Sequence, residues 1–232
     1  MTSTQHISTV RELAGWTPHM PLLLRRMGLG DADPETGLQT AASVAGLDPT
    51  LVQDYVDLIL DEQITDPTDV MLLLVHLERT HHVYLRNVLP RLSFELAEAV
   101  DSWGLEHPHL LSMERVFAEL RLDLEPHLAK EERVLFPKIR ELMRATKRPT
   151  YAFGGLSAPI GAMIIEHRET DDRFLRLASL SDGYTLGLDE EPGLRRLYTE
   201  LRILDADTVV HSAKENGWLF PSVLRHERGF AA

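Results

Sequence analysis

An eleven-residue phrase occurs twice in this chain, and no other feature constrains the fold as tightly. His127-Leu-Ala-Lys-Glu131 continues through Glu-Arg-Val-Leu-Phe to Pro137, and His211-Ser-Ala-Lys-Glu215 continues through Asn-Gly-Trp-Leu-Phe to Pro221. Both read H-x-A-K-E-x-x-x-L-F-P, with seven fixed positions in eleven. Two further histidines keep the register: His82 lies 45 residues before His127, and His167 lies 44 before His211. Four histidines and two glutamates thus form two copies of one half-site. That is the pattern of a metal centre built inside a four-helix bundle by a duplicated helical hairpin.

Histidine and glutamate four apart on a helix differ by about 40° of rotation and one turn of rise, so both can reach one ion or two adjacent ones. Leu120, Leu124, His127, Leu128, Glu131 and Leu135 line one stripe, and Leu204, Thr208, His211, Glu215 and Leu219 line another. Protonatable groups in an apolar stripe are costly to bury unless paired or metal-bound. A metal pair held by four imidazoles and two carboxylates removes that cost, with the carboxylates free to bridge. Imidazole plus carboxylate suits iron, zinc or manganese, and six protein ligands leave open positions on two irons but exceed one tetrahedral zinc. A single His-x-x-x-Glu pair is an ordinary surface feature. Its duplication within a longer phrase carries the inference.

Secondary assignments follow from proximity. Adjacent helical residues point about 100° apart, so only one of His81 and His82 is expected to face the core, and the repeat selects His82. Glu166 beside His167 and Asp123 one turn before His127 are candidates to hydrogen-bond a ligand imidazole or relay protons. Glu78 has the same spacing to His82, and Asp171 could be a spare ligand or a solvated carboxylate. His6, His19, His76, His107, His109 and His226 lack a repeat partner and receive no role. Phe136 and Phe220 are expected to pack in the core, and Pro137 and Pro221 to end or kink their helices.

Composition excludes several classes. The chain has no cysteine, so disulfides, thiolate zinc sites and cysteine-held clusters are ruled out and a metal must sit on nitrogen and oxygen. With 24 basic and 36 acidic residues the net charge is −12, which disfavours nucleic acid and anionic membranes as partners. The first ten residues carry no basic-then-apolar leader and no apolar run could span a bilayer, so a cytoplasmic protein is expected.

The 232 residues divide into a small helical N-terminal domain, 1–64, and a bundle domain, 65–232. In the first, helices are expected near Ile7–Gly15, Pro18–Met27, Leu38–Ala45 and Leu51–Asp61, punctuated by Gly28, Gly46 and Asp48-Pro49. In the second, Asp66-Pro67 is read as opening a helix over 67–101, with Leu72, Val75, His82, Leu85 and Leu89 on one face and Pro90 as a kink. Helices over 108–145, 157–180 and 192–225 complete an all-α, up-down-up-down reading, with a mid-chain linker at Arg148–Gly155.

His82, the two phrases and Ile165-Glu166-His167 resemble the hemerythrin-like domain, and more closely the repair-of-iron-centres di-iron family, over about 70–228. The resemblance implies a non-haem di-iron cofactor, oxo- or hydroxo-bridged, with His82, His127, His167 and His211 as terminal ligands and Glu131 and Glu215 as bridges. It also implies iron handling, iron–sulfur cluster repair, or a nitric oxide and peroxide response under oxidative or nitrosative stress. Expected partners are a small diatomic or peroxide (O2, NO, H2O2) and an external electron donor, with a homodimer left open. Residues 10–62 resemble that family's preceding small domain, where a glycine-hydrophobic-Asp stretch leads into two cysteines. Here Gly28-Leu29-Gly30-Asp31 leads into Ala32 and Asp33, so thiol-dependent roles are not supported. Two other functions remain at this level: a hemerythrin-like oxygen binder, sensor or store without turnover, and an interaction module holding zinc adventitiously.

Overall fold

Local signals set each helix boundary in the N-terminal unit. The Thr9 hydroxyl accepts the Glu12 N–H and the Glu12 carboxylate accepts the Thr9 N–H, both at 3.2 Å, a reciprocal cap that starts α1 (Val10–Ala14). Pro21 lies in the first turn of α2 (Met20–Arg26), where its missing N–H costs no bond, and Gly28 follows at φ 74°, a left-handed stop. α3 (Leu38–Val44) gives way to Gly46 at φ 75°. The Asp48 carboxylate accepts the N–H groups of Thr50 (2.9 Å) and Leu51 (3.3 Å) and opens α4 (Pro49–Leu60). The computed structural model describes residues 9–60, 69–152, 154–186 and 191–230. His6, the Asp66-Pro67 signal and the expected 64/65 boundary lie outside them.

Four long helices follow, three of them interrupted by a π-helical turn. α5 comprises Val70–His76, the π-turn Leu77–His82 and Val83–Trp103, and is capped by Asp69, whose carboxylate accepts from Met71 and Leu72 at 2.8 and 3.1 Å. α6 comprises His109–Lys130, the π-turn Glu131–Leu135 and Phe136–Arg144. α7 is Ser157–Leu180. α8 comprises Pro192–Lys214, the π-turn Glu215–Leu219 and Phe220–Gly229. Each helix packs on its chain neighbour and α8 closes back on α5, the expected all-α up-down-up-down bundle.

The π-turns overturn one sequence expectation and narrow another. Each adds a residue to a turn, which shifts the apolar stripe by one position. Upstream of Leu85 and Leu89 the buried residues are therefore Val70, Leu73, Leu74 and Leu77, while Leu72 and Val75 are 48% and 38% exposed. Pro137 and Pro221 do not end their helices. Each lies two residues after the end of a π-turn, so the carbonyl four residues back falls inside the widened turn and the ring is accommodated. Pro126 is also interior, and the carbonyl opposite it belongs to solvent-exposed Leu122.

The core has three parts. One apolar cluster fills the bundle around Leu89, Leu120, Phe174 and Leu201, and a second fills the other end around Leu74, Phe136, Ile139 and Phe220. The third belongs to α1–α4, whose Leu13, Leu23, Met27, Val52 and Val56 dock on Ile203, Ala206 and Val210 of α8. Arg26 locks this dock with ion pairs to Asp205 and Asp171, each at 2.7 Å. Among the described residues no helix is long and apolar enough to cross a membrane.

Candidate metal centre

Between the two apolar clusters of the bundle, six side chains converge from all four helices. His82 comes from α5, His127 and Glu131 from α6, His167 from α7, and His211 and Glu215 from α8, and all six are buried, His167 most exposed at 6%. They form two four-donor groups, His82–Glu131–His211–Glu215 and His127–Glu131–His167–Glu215, each with ligand atoms within 4.8 Å of one another. Glu131 and Glu215 belong to both groups. Glu131 Oε1 lies 3.3 Å from His127 Nε2 and its Oε2 3.5 Å from His82 Nε2. Glu215 Oε1 lies 3.4 Å from His211 Nε2 and its Oε2 3.0 Å from His167 Nε2. Each carboxylate thus spans the two halves. A π-turn begins at each glutamate and another ends at His82, so the interruptions coincide with the site.

Hydrogen bonding fixes what these donors can hold. His82 Nδ1 donates to Glu132 Oε1 and His127 Nδ1 to Glu166 Oε2, both at 2.8 Å, and His167 Nδ1 donates to Asn216 Oδ1 at 3.1 Å. A proton on Nδ1 leaves a bare lone pair on Nε2 of the neutral ring. The Nε2 atoms of the four imidazoles face each other in pairs, His82 with His211 and His127 with His167, each at 3.2 Å. All four carboxylate oxygens of Glu131 and Glu215 are buried without a hydrogen-bond partner. Four buried carboxylate oxygens without a partner are unfavourable for a bare protein and are relieved by cations between the donors. The residues present therefore fit a cation pair, with nitrogen and oxygen ligands suited to iron.

Burial pulls His127 down, but the Glu131 and Glu166 carboxylates outweigh it and raise it to about 9. Burial would raise Glu215, yet the His211 and His167 imidazoles hold it well below the usual carboxylate range. His82 is lowered, chiefly by burial. Phe136 stacks on His82 (ring centroids 5.5 Å, interplanar 22°) and Phe220 on His167 (6.2 Å, 7°), so the Leu-Phe-Pro tails fix ring planes as well as fill the core.

Glu166 meets the expectation of a hydrogen bond to a ligand imidazole. Asp123 does not reach the site: it is half exposed and ion-paired with Arg173. Glu78 pairs with Arg140 and Asp171 with Arg26. The expectation that only one of His81 and His82 faces the core did not foresee that both are buried. Both are, at 1% and 0%, because the N-terminal unit covers the face that His81 presents. There His81 Nδ1 donates to Asp207 (2.8 Å), which also accepts from the Tyr55 hydroxyl (2.8 Å), while the Lys214 ammonium donates to His81 (2.8 Å) and His76 (2.7 Å). Sequence reasoning missed this cluster and missed Glu132 and Asn216. The available signal was their place in the phrase: Glu132 and Asn216 each follow the shared glutamate, and Lys130 and Lys214 are fixed positions.

Two cavities border the site. A cleft of about 300 Å³ reaches His167 and Asn216 from solvent past Arg26, Asp171, Thr170 and Thr208. A smaller cavity of about 100 Å³ lies under the N-terminal unit between Trp16, Tyr55, Lys214 and Trp218.

Residues 73–223 match the family described as the hemerythrin HHE cation binding domain. The chain is 31% identical over 156 residues to the iron-sulfur cluster repair protein YtfE of Dickeya chrysanthemi, covering 67% of this chain and 66% of that protein. It is 31% identical over 157 residues to a probable iron-sulfur cluster repair protein of Haemophilus influenzae, covering 66% and 64%. Over 109 residues it is 31% identical to the iron-sulfur cluster repair protein DnrN of Neisseria gonorrhoeae, covering 47% and 64%. The matched stretch thus spans just under two thirds of each of these relatives.

Proposed function

Since the chain belongs to the hemerythrin HHE cation-binding family, we propose that its bundle holds two non-haem irons and serves iron–sulfur cluster repair and the response to nitric oxide or peroxide under stress. The observation that carries this reading is the pair of four-donor groups sharing Glu131 and Glu215. The names of the relatives, iron-sulfur cluster repair proteins, support the repair role. His82 and His211 would hold one ion, His127 and His167 the other, and the two glutamates would bridge them. When bound, the ions would supply open coordination positions and the electrons for reaction with a small diatomic or peroxide.

The chain's own residues define what that chemistry needs. Glu132, Glu166 and Asn216 keep protons on Nδ1 and so keep Nε2 available as the donor atom. The apolar clusters above and below shut out bulk water. The cleft at His167 and Asn216 would admit a small diatomic or peroxide. Glu166, with its side chain 26% exposed and bonded to His127 through Oε2, would be the proton relay. With no thiol in the chain, turnover needs an external electron donor, and a cytoplasmic location fits such a donor supply.

The test is nitric oxide and hydrogen peroxide consumption by the anaerobically reduced protein with and without an external reductant. Catalytic consumption that depends on the reductant supports the reading. Reversible oxygen uptake without consumption of either would instead favour a carrier or sensor.

A further inference from the structure

Duplication allows each half of the centre to be compared with the other. Glu132, after Glu131, accepts from His82, and Asn216, after Glu215, accepts from His167. Phe136 and Phe220 stack on those same two histidines. The contacts behind His127 and His211 do not match. Glu166, the residue before His167, accepts the His127 Nδ1–H at 2.8 Å and the exposed Lys130 ammonium at 2.5 Å. The residue before His82 is His81, which cannot take that part. Its Nδ1 proton goes to Asp207, its Nε2 accepts from Lys214, and its ring stacks on His211 at 5.5 Å and 11°. Lys214, the counterpart of Lys130, is turned inward and only 6% exposed. His211 Nδ1 is left buried with no hydrogen-bond partner.

Each metal position therefore has one imidazole backed by a carboxylate, Glu132 behind His82 and Glu166 behind His127. The second imidazole is backed by Asn216 at His167 and by nothing at His211. An acceptor on the far nitrogen fixes tautomer and ring orientation and raises the donor strength of the ligating nitrogen, and its loss typically weakens metal binding ten- to a hundredfold. We propose that the two positions are unequal, the His127–His167 position holding its ion on the order of ten- to a hundredfold more tightly than the His82–His211 position. This rests on the di-metal reading above. It makes His81 and Lys214 the residues that set the inequality, because they occupy the place of an acceptor for His211.

Crystals of the full chain loaded with one molar equivalent of manganese(II), then with excess, test this by anomalous diffraction. At one equivalent the expected peak lies between His127 and His167 alone, with the second position filling in excess. Asn216→Ala, an exposed position whose loss spares the fold, should bring the two peaks to similar heights at one equivalent. Equal peaks in the unaltered protein, or a first peak between His82 and His211, would overturn the inference, as would an unchanged preference in Asn216→Ala. No peak at either position in excess manganese would sink the metal-centre reading itself.

Discussion

Glu132 and Asn216 occupy the same place in the two phrases and do the same work with different chemistry. A carboxylate behind His82 strengthens the imidazole as a donor more than an amide behind His167 does. Glu132→Ala should therefore lower metal affinity by about ten- to a hundredfold, measured by chelator competition, while leaving the helical circular dichroism unchanged. Loss of the fold along with the metal would mean that Glu132 acts structurally. Away from the centre, burial raises Asp205 to about 6 against the opposing pull of Arg26. Its folded value lies above the unfolded one near 3.8, so between these values the folded state holds a proton that the unfolded chain has released. Stability from this group is greatest below the window and falls as pH rises through it. Relative to Asp205→Asn, the natural protein should lose melting temperature between about pH 4 and pH 6, and a flat difference across that range contradicts the assignment.

At the level of elements, the three π-turns join sequence to site. The repeated phrase made six ligand candidates legible, because ligand identity and spacing survive in the letters. Helix boundaries marked by Asp48 and Gly28 were legible too, since caps and stops are local chemistry. The π-turns were not, because an extra residue in a turn leaves the composition unchanged and shows only as a slipped stripe, which is why Leu72 and Val75 were misplaced. Burial of His76 and His81 was hidden for a different reason: the layer that covers them comes from residues 9–60, far away in sequence. Deleting Val134, a half-exposed residue of the α6 π-turn, should convert it to regular helix. Phe136, Ile139 and Leu142 would then turn by about 100° away from their cluster. The expected result is a loss of several kcal/mol in denaturant unfolding and loss of bound metal. A variant that keeps both would show that the π-turn does not set the register.

Across the whole molecule, the N-terminal unit seals one flank of the bundle and supplies the Tyr55 hydroxyl to Asp207, whose other oxygen has no partner. Tyr55→Phe leaves that buried carboxylate with one donor fewer and should cost roughly 1–3 kcal/mol of stability, read from chemical denaturation. No measurable change would mean that water replaces the hydroxyl and that the dock is looser than described. The central claim is that the duplicated phrase is a di-metal site. It is tested most directly by counting metals per chain in protein purified with and without air, recording its absorption spectrum, and repeating both on His127→Ala. The account predicts about two irons per chain, an oxo-bridge charge-transfer band in the near ultraviolet for the air-exposed protein, and loss of both in the variant. One zinc per chain, or no metal, unchanged by His127→Ala, would contradict it.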